Sequence, residues 1–162
     1  MKKIMKQFSL LILLLLLLIS CRQEQGVIED KNVTVLSGSS IIGAIRWSGD
    51  GKYGVYDENG RVWLLDLTKP IGEDNPYLLT GTASLALTPS WSPDSKNVIF
   101  AYKKDRQNRK EPTNIWMLNL NRKELRQLTF FTKDVREPEW LPGDTLIFKD
   151  ASYRLYSMKI KK

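Results

Sequence analysis

Residues 89–100 read Pro89-Ser90-Trp91-Ser92-Pro93-Asp94-Ser95-Lys96-Asn97-Val98-Ile99-Phe100, and this stretch decides the fold. A Ser-Pro-Asp-Ser cluster separates two short runs rich in aromatic and β-branched residues, the pattern of two strands joined by a tight turn. After a polar loop, Asn114-Ile115-Trp116-Met117-Leu118-Asn119-Leu120 and Arg126-Gln127-Leu128-Thr129 add two more such runs. The unit predicts one antiparallel sheet of four strands.

The same order precedes it as Arg46-Trp47-Ser48-Gly49-Asp50-Gly51-Lys52-Tyr53-Gly54-Val55-Tyr56 with Arg61 to Leu67, and follows it as Glu137-Pro138-Glu139-Trp140-Leu141-Pro142-Gly143-Asp144-Thr145-Leu146-Ile147-Phe148 with Tyr153 to Ile160. Trp47 and Trp91 lie 44 positions apart, and Trp91 and Trp140 lie 49 apart, a period in the range of four-stranded propeller blades. The second interval is longer because the middle unit carries an insertion of nine residues around Lys103 to Thr113.

These residues resemble the TolB-like family of propeller repeats, whose pattern runs roughly P-x-W-S-P-D-G-K-x-I-A-F, then I-Y-x-x-D-L, then R-x-L-T. The resemblance spans about residues 33 to 160. The middle unit is the close match. Gly49 replaces a proline in the first unit, and the third has Leu141-Pro142-Gly143-Asp144 and one residue fewer before Phe148, which implies altered turns. The expected fold is all-β, a partial β-propeller of about three four-stranded antiparallel blades.

Strand phase carries this further. Thr80 and Thr129 each lie 11 residues before the next repeat's tryptophan and end apolar runs that read as fourth strands. Counting the same distance back from Trp47 reaches Leu36, at the end of Val33-Thr34-Val35-Leu36. The chain is thus expected to begin with a lone fourth strand and to stop after a third. A ring needs about 4 to 8 blades. One expectation is completion by dimerisation, each N-terminal strand finishing the partner's last blade; the other is a truncated piece of a longer propeller lipoprotein, or a half-propeller that pairs with another protein.

The N-terminus has a different character. Lys2, Lys3 and Lys6 form a positive region, and Phe8 to Ile19 is apolar except for Ser9. A run of about a dozen residues is shorter than the ~20 a spanning helix needs and has the length of a signal-peptide core. It ends in Leu18-Ile19-Ser20-Cys21, which resembles the lipobox of bacterial lipoproteins. The resemblance implies cleavage before Cys21 and acylation of its thiol. Cys21 is the sole cysteine and has no intramolecular disulfide partner. The expected organisation is a signal peptide over 1–20, a lipidated polar tether over 21–32 and a repeat domain over 33–162. The alternative, an uncleaved membrane anchor, also leaves the domain outside the cytoplasm.

Losing residues 1–20 removes three lysines and no acids, so the formal charge falls from +7 to +4. An exported chain of that charge fits anionic envelope components, and nucleic acid is not an expected partner. Arg22 stands where an aspartate would mark inner-membrane retention in enterobacteria, so the resemblance points to the periplasmic face of the outer membrane in a Gram-negative host.

The sequence contains no histidine, which removes Ser-His-Asp and Cys-His catalysis and histidine metal sites together. No cofactor is expected. Asp50, Asp94 and Asp144 recur at similar repeat positions beside Gly or Ser, where turn geometry favours Asp, and no D-x-D-x-D-G calcium loop accompanies them. Trp47, Trp91 and Trp140 are expected to pack between neighbouring blades. Within the insertion, Lys103, Lys104, Arg106, Arg109 and Lys110 read either as a solvated loop or as a contact to an anionic partner. The function these features imply is non-enzymatic: a lipid-anchored cell-envelope protein whose repeats dock other proteins, as TolB-like domains do. The alternative is the blade part of a hydrolase system that acts with a separate catalytic chain.

Overall fold

The computed structural model describes residues 42–72 and 74–160, which fall within a compact unit spanning Leu36–Lys162. Cys21, the tether and the expected strand Val33 to Leu36 lie outside the described residues.

Eleven strands are present among these residues: β1 (Arg46–Trp47), β2 (Tyr53–Glu58), β3 (Arg61–Asp66), β4 (Tyr77–Leu78), β5 (Leu85–Trp91), β6 (Asn97–Lys103), β7 (Asn114–Asn119), β8 (Glu124–Gln127), β9 (Val135–Leu141), β10 (Thr145–Asp150) and β11 (Leu155–Lys159). They form three antiparallel meanders, β1–β4, β5–β8 and β9–β11. The described part of the third sheet has three strands where a full blade has four, in keeping with the phase read from the sequence.

The middle blade explains the stacking. In β6 the residues from Val98 to Tyr102 are all buried, because successive side chains point to opposite faces and both faces are covered. Val98, Phe100 and Tyr102 join Val55, Val62 and Leu64 of the first blade in one apolar cluster. Ile99 and Ala101, with Ile115 of β7, join Val135, Leu146 and Phe148 of the third blade in another. The second cluster holds an aromatic group in which Phe131 meets Phe148 and Tyr156 edge-on, while those two rings stack at 5.4 Å.

Local chemistry closes the blades. The hairpin from β2 to β3 turns through Asn59 and Gly60 at φ 51° and 74°, the left-handed pair a two-residue turn demands. A Cβ at Gly60 would also approach Leu85 Cδ1 to 2.7 Å. In the Ser-Pro-Asp-Ser turn, Ser92 Oγ donates to Asp94 Oδ1 at 2.6 Å, the Lys96 amide donates to the same oxygen, and the Asn97 amide donates to Ser92 Oγ. Ser48, Asp50 and Tyr53 repeat this arrangement in the first blade. Asp144 departs from it. There the turn itself is made by Gly143 and Asp144 at φ 75° and 56°, so this aspartate stands in the bend itself.

Thr80 and Thr129 end the outer strands by a shared device. Each is buried, and its hydroxyl oxygen accepts the amide of a third-strand residue, Val62 in one blade and Ile115 in the other. Thr129 Oγ in turn donates to Asn114 Oδ1 at 2.9 Å. The side chain thus takes over where the ladder stops.

Candidate functional site

The repeat tryptophans do not share one environment. Trp91 is 7 % exposed, and its Nε1 donates to the Arg46 carbonyl oxygen of the preceding blade at 2.8 Å. Trp140 packs, partly buried, against the cluster joining the second and third blades. Trp47 departs from expectation, being 50 % exposed. Its ring lies on Gly54 of its own blade, where a Cβ would meet Trp47 Cζ3 at 3.0 Å. The reason is positional. A repeat tryptophan is buried by the blade before it, and the described residues place none before the first. Ile45, 40 % exposed, shares this face, its Cγ2 lying 3.1 Å from the same Gly54 Cβ position.

A second region gathers the innermost strands. Arg46 of β1 pairs with Glu139 of β9 at 3.1 Å, and Ser90 Oγ of β5 donates to Glu139 Oε2 at 2.9 Å. The Thr88 amide donates to Asp57 Oδ1, and the Glu137 amide donates to Thr88 Oγ. Thr88 and Glu137 occupy equivalent repeat positions and share positive φ values of 50° and 53°, at breaks in the register of β5 and β9. A β-branched residue in that conformation is strained, a cost the flanking hydrogen bonds offset. Burial raises the Asp57 carboxyl above its ordinary range despite the Thr88 amide. The Lys149 ammonium, 2.7 Å away, holds Glu137 below its own. A groove of about 450 Å³ runs past these groups. Among the described residues no cluster of His, Cys, Asp or Glu is arranged to hold a metal ion.

The basic insertion forms the third region, looping over residues 104–113 between β6 and β7. Glu111 organises it by accepting the amides of Lys104 and Asp105. Lys103 Nζ turns inward to the Asn108 carbonyl oxygen, and Lys104 Nζ lies 5.4 Å from the centroid of the Trp116 ring. Arg106, Arg109 and Lys110 are exposed. The structure therefore gathers the five basic residues at the end of β6 and on the loop that follows, with Lys103 bonded to the loop and Lys104 held over Trp116 of β7.

No protein-family model matches the chain. It is similar to Tol-Pal system protein TolB of Francisella tularensis, 29 % identical over 100 residues, which is 62 % of this chain and 22 % of that protein. The chain thus spans about a fifth of the length of the curated relatives it matches. Among solved structures it resembles TolB from Acinetobacter baumannii, with TM-score 0.58 and 22 % identity over 74 % of this chain and 30 % of that one. The fold is that of TolB-like propeller blades. Tricorn protease also resembles it, with TM-score 0.53 and 13 % identity over 67 % of this chain and 11 % of that one, a likeness of fold alone. In each comparison the matched part is less than a third of a longer chain.

Proposed function

We propose that this chain is a non-enzymatic scaffold of the bacterial cell envelope, tethered by an acylated Cys21 and docking another protein through the open blade face at Trp47. The observation that carries this reading is the contrast between Trp91, buried under the preceding blade, and Trp47, half exposed at the equivalent position. A large exposed aromatic beside the half-exposed Ile45 is the kind of surface that marks an interaction site. The curated relatives are named for a Tol-Pal system, which supports a role within a multi-protein assembly.

The occupant proposed for the face is a second copy, whose third blade would stand to Trp47 as the first blade stands to Trp91. The segment over residues 33–36, expected from the sequence to be a strand, would then complete that third blade. Two such contacts related by a twofold axis close on themselves and need no further subunit. Light scattering on a detergent-free chain lacking residues 1–21 tests the pairing: twice the monomer mass is expected, and a monomer at all accessible concentrations overturns it. Incorporation of a palmitate analogue into the full chain, lost in Cys21→Ser, tests the tether separately.

A further inference from the structure

The antiparallel order of the strands brings three connections to one end of the blades: the insertion over 104–113, the loop over 128–134 and the turn over 151–154. Hydrogen bonds join them. The Thr113 amide donates to Asp134 Oδ1, the Val135 amide to the Thr113 carbonyl oxygen, and the Ala151 amide to the Asp134 carbonyl oxygen. The two most exposed large apolar side chains among the described residues are both here, Phe130 at 79 % and Tyr153 at 73 %. Phe130 and Lys104 line the same groove of about 340 Å³, and the Arg136 guanidinium lies 4.8 Å from the centroid of the Tyr153 ring. None of Lys103, Lys104, Arg106, Arg109, Lys110 and Lys133 enters an ion pair among the described residues.

We propose that this end of the blades docks on an anionic bilayer surface, the basic insertion and Lys133 meeting lipid phosphates while Phe130 and Tyr153 enter the headgroup layer. Positive charge that enters no ion pair among the described residues, set around single exposed aromatic rings, is the composition of a peripheral lipid-binding surface. An acidic protein would reward the charges, but a protein interface gathers its aromatic anchors into one buried core, whereas Phe130 and Tyr153 stand singly on separate loops. The headgroup layer accepts aromatic rings singly and offers phosphate throughout. The proposal rests on the envelope reading for the presence of the membrane, and palmitate labelling tests that reading independently.

The test is hydrogen–deuterium exchange on the full chain, mixed with phosphatidylcholine vesicles with or without phosphatidylglycerol. Its readout is local, so membrane contact by the apolar N-terminus does not obscure it. Expected is slower exchange over 104–111, 130–133 and 151–154 with the anionic vesicles only, and none at the opposite turn over Asp94 to Lys96. Each Lys or Arg near such a surface contributes about fivefold in binding. Replacing Lys103, Lys104, Arg106, Arg109 and Lys110 with Gln should therefore raise the lipid concentration for half-protection by at least about a hundredfold. Phe130→Ser changes only an exposed side chain, so it supplies a folded control and should weaken protection. Equal protection by neutral vesicles, or protection by inorganic phosphate or polyglutamate but not by anionic vesicles, would overturn the proposal.

Discussion

Replacing Trp91 and Trp47 in turn by alanine measures what a preceding blade contributes. A tryptophan buries roughly 150–250 Å², which at about 25 cal/mol per Å² is worth about 4–6 kcal/mol when burial is complete. Trp91 is 7 % exposed and donates to the Arg46 carbonyl oxygen, so Trp91→Ala should cost about 4–5 kcal/mol, within the range for buried aromatic truncations. Trp47 is 50 % exposed and rests on Gly54 of its own sheet, so Trp47→Ala should cost about half as much as full burial, about 2–3 kcal/mol, in an isolated chain. Urea titration followed by far-ultraviolet circular dichroism, at protein concentrations low enough to keep the chain monomeric, reads both. At higher concentration the wild-type midpoint should rise while that of Trp47→Ala stays fixed, since assembly adds stability only where the face is intact. Equal costs for the two substitutions in the monomer would refute the reasoning.

Three further outcomes follow from single groups. Thr129→Val keeps the shape of the side chain but strips the buried Ile115 amide and Asn114 carboxamide of a partner, and should cost about 1–3 kcal/mol by urea titration. The Asp57 carboxyl is raised by burial, so its contribution is present below the unfolded value and lost as pH rises through the folded one. Asp57→Asn, whose amide oxygen can still accept from Thr88, should raise Tm at neutral pH and give no gain in acid. Asp94 is lowered, first by the Ser92 hydroxyl and also by the Lys96 amide, so its turn is fully stabilising above the unfolded value and loses that contribution as pH falls through the folded one. The acid limb of Tm against pH, below about pH 4, should flatten in Asp94→Asn.

The blade pattern was legible because it rests on local chemistry. The Ser-Pro-Asp-Ser turn, the alternation through Val98 to Tyr102 and the punctuation at Thr80 and Thr129 are each written within a few residues, and each is where the spacing put it. The insertion between β6 and β7 was readable from the same spacing. What repeated spacing cannot express is the environment of a repeat at the end of a series. Trp47 and Trp91 carry the same residue in the same register, and only the stacking of whole blades separates a half-exposed ring from a buried one. The positive φ at Thr88 and Glu137 was also invisible, because neither residue type favours it and the hydrogen bonds that hold it come from a different blade. Phe130 and Tyr153 were unremarkable in sequence, and they acquire meaning only once topology brings three distant loops to one end.

The face at Trp47 is proposed to be an unfilled blade interface which a second copy fills. The most direct measurement is the solution mass of the chain lacking residues 1–21, by light scattering over a range of concentration, beside the same chain with Trp47→Ala. Expected is a dimer that Trp47→Ala converts to a folded monomer. A wild-type chain that stays monomeric throughout, or a dimer indifferent to the loss of Trp47, would contradict it.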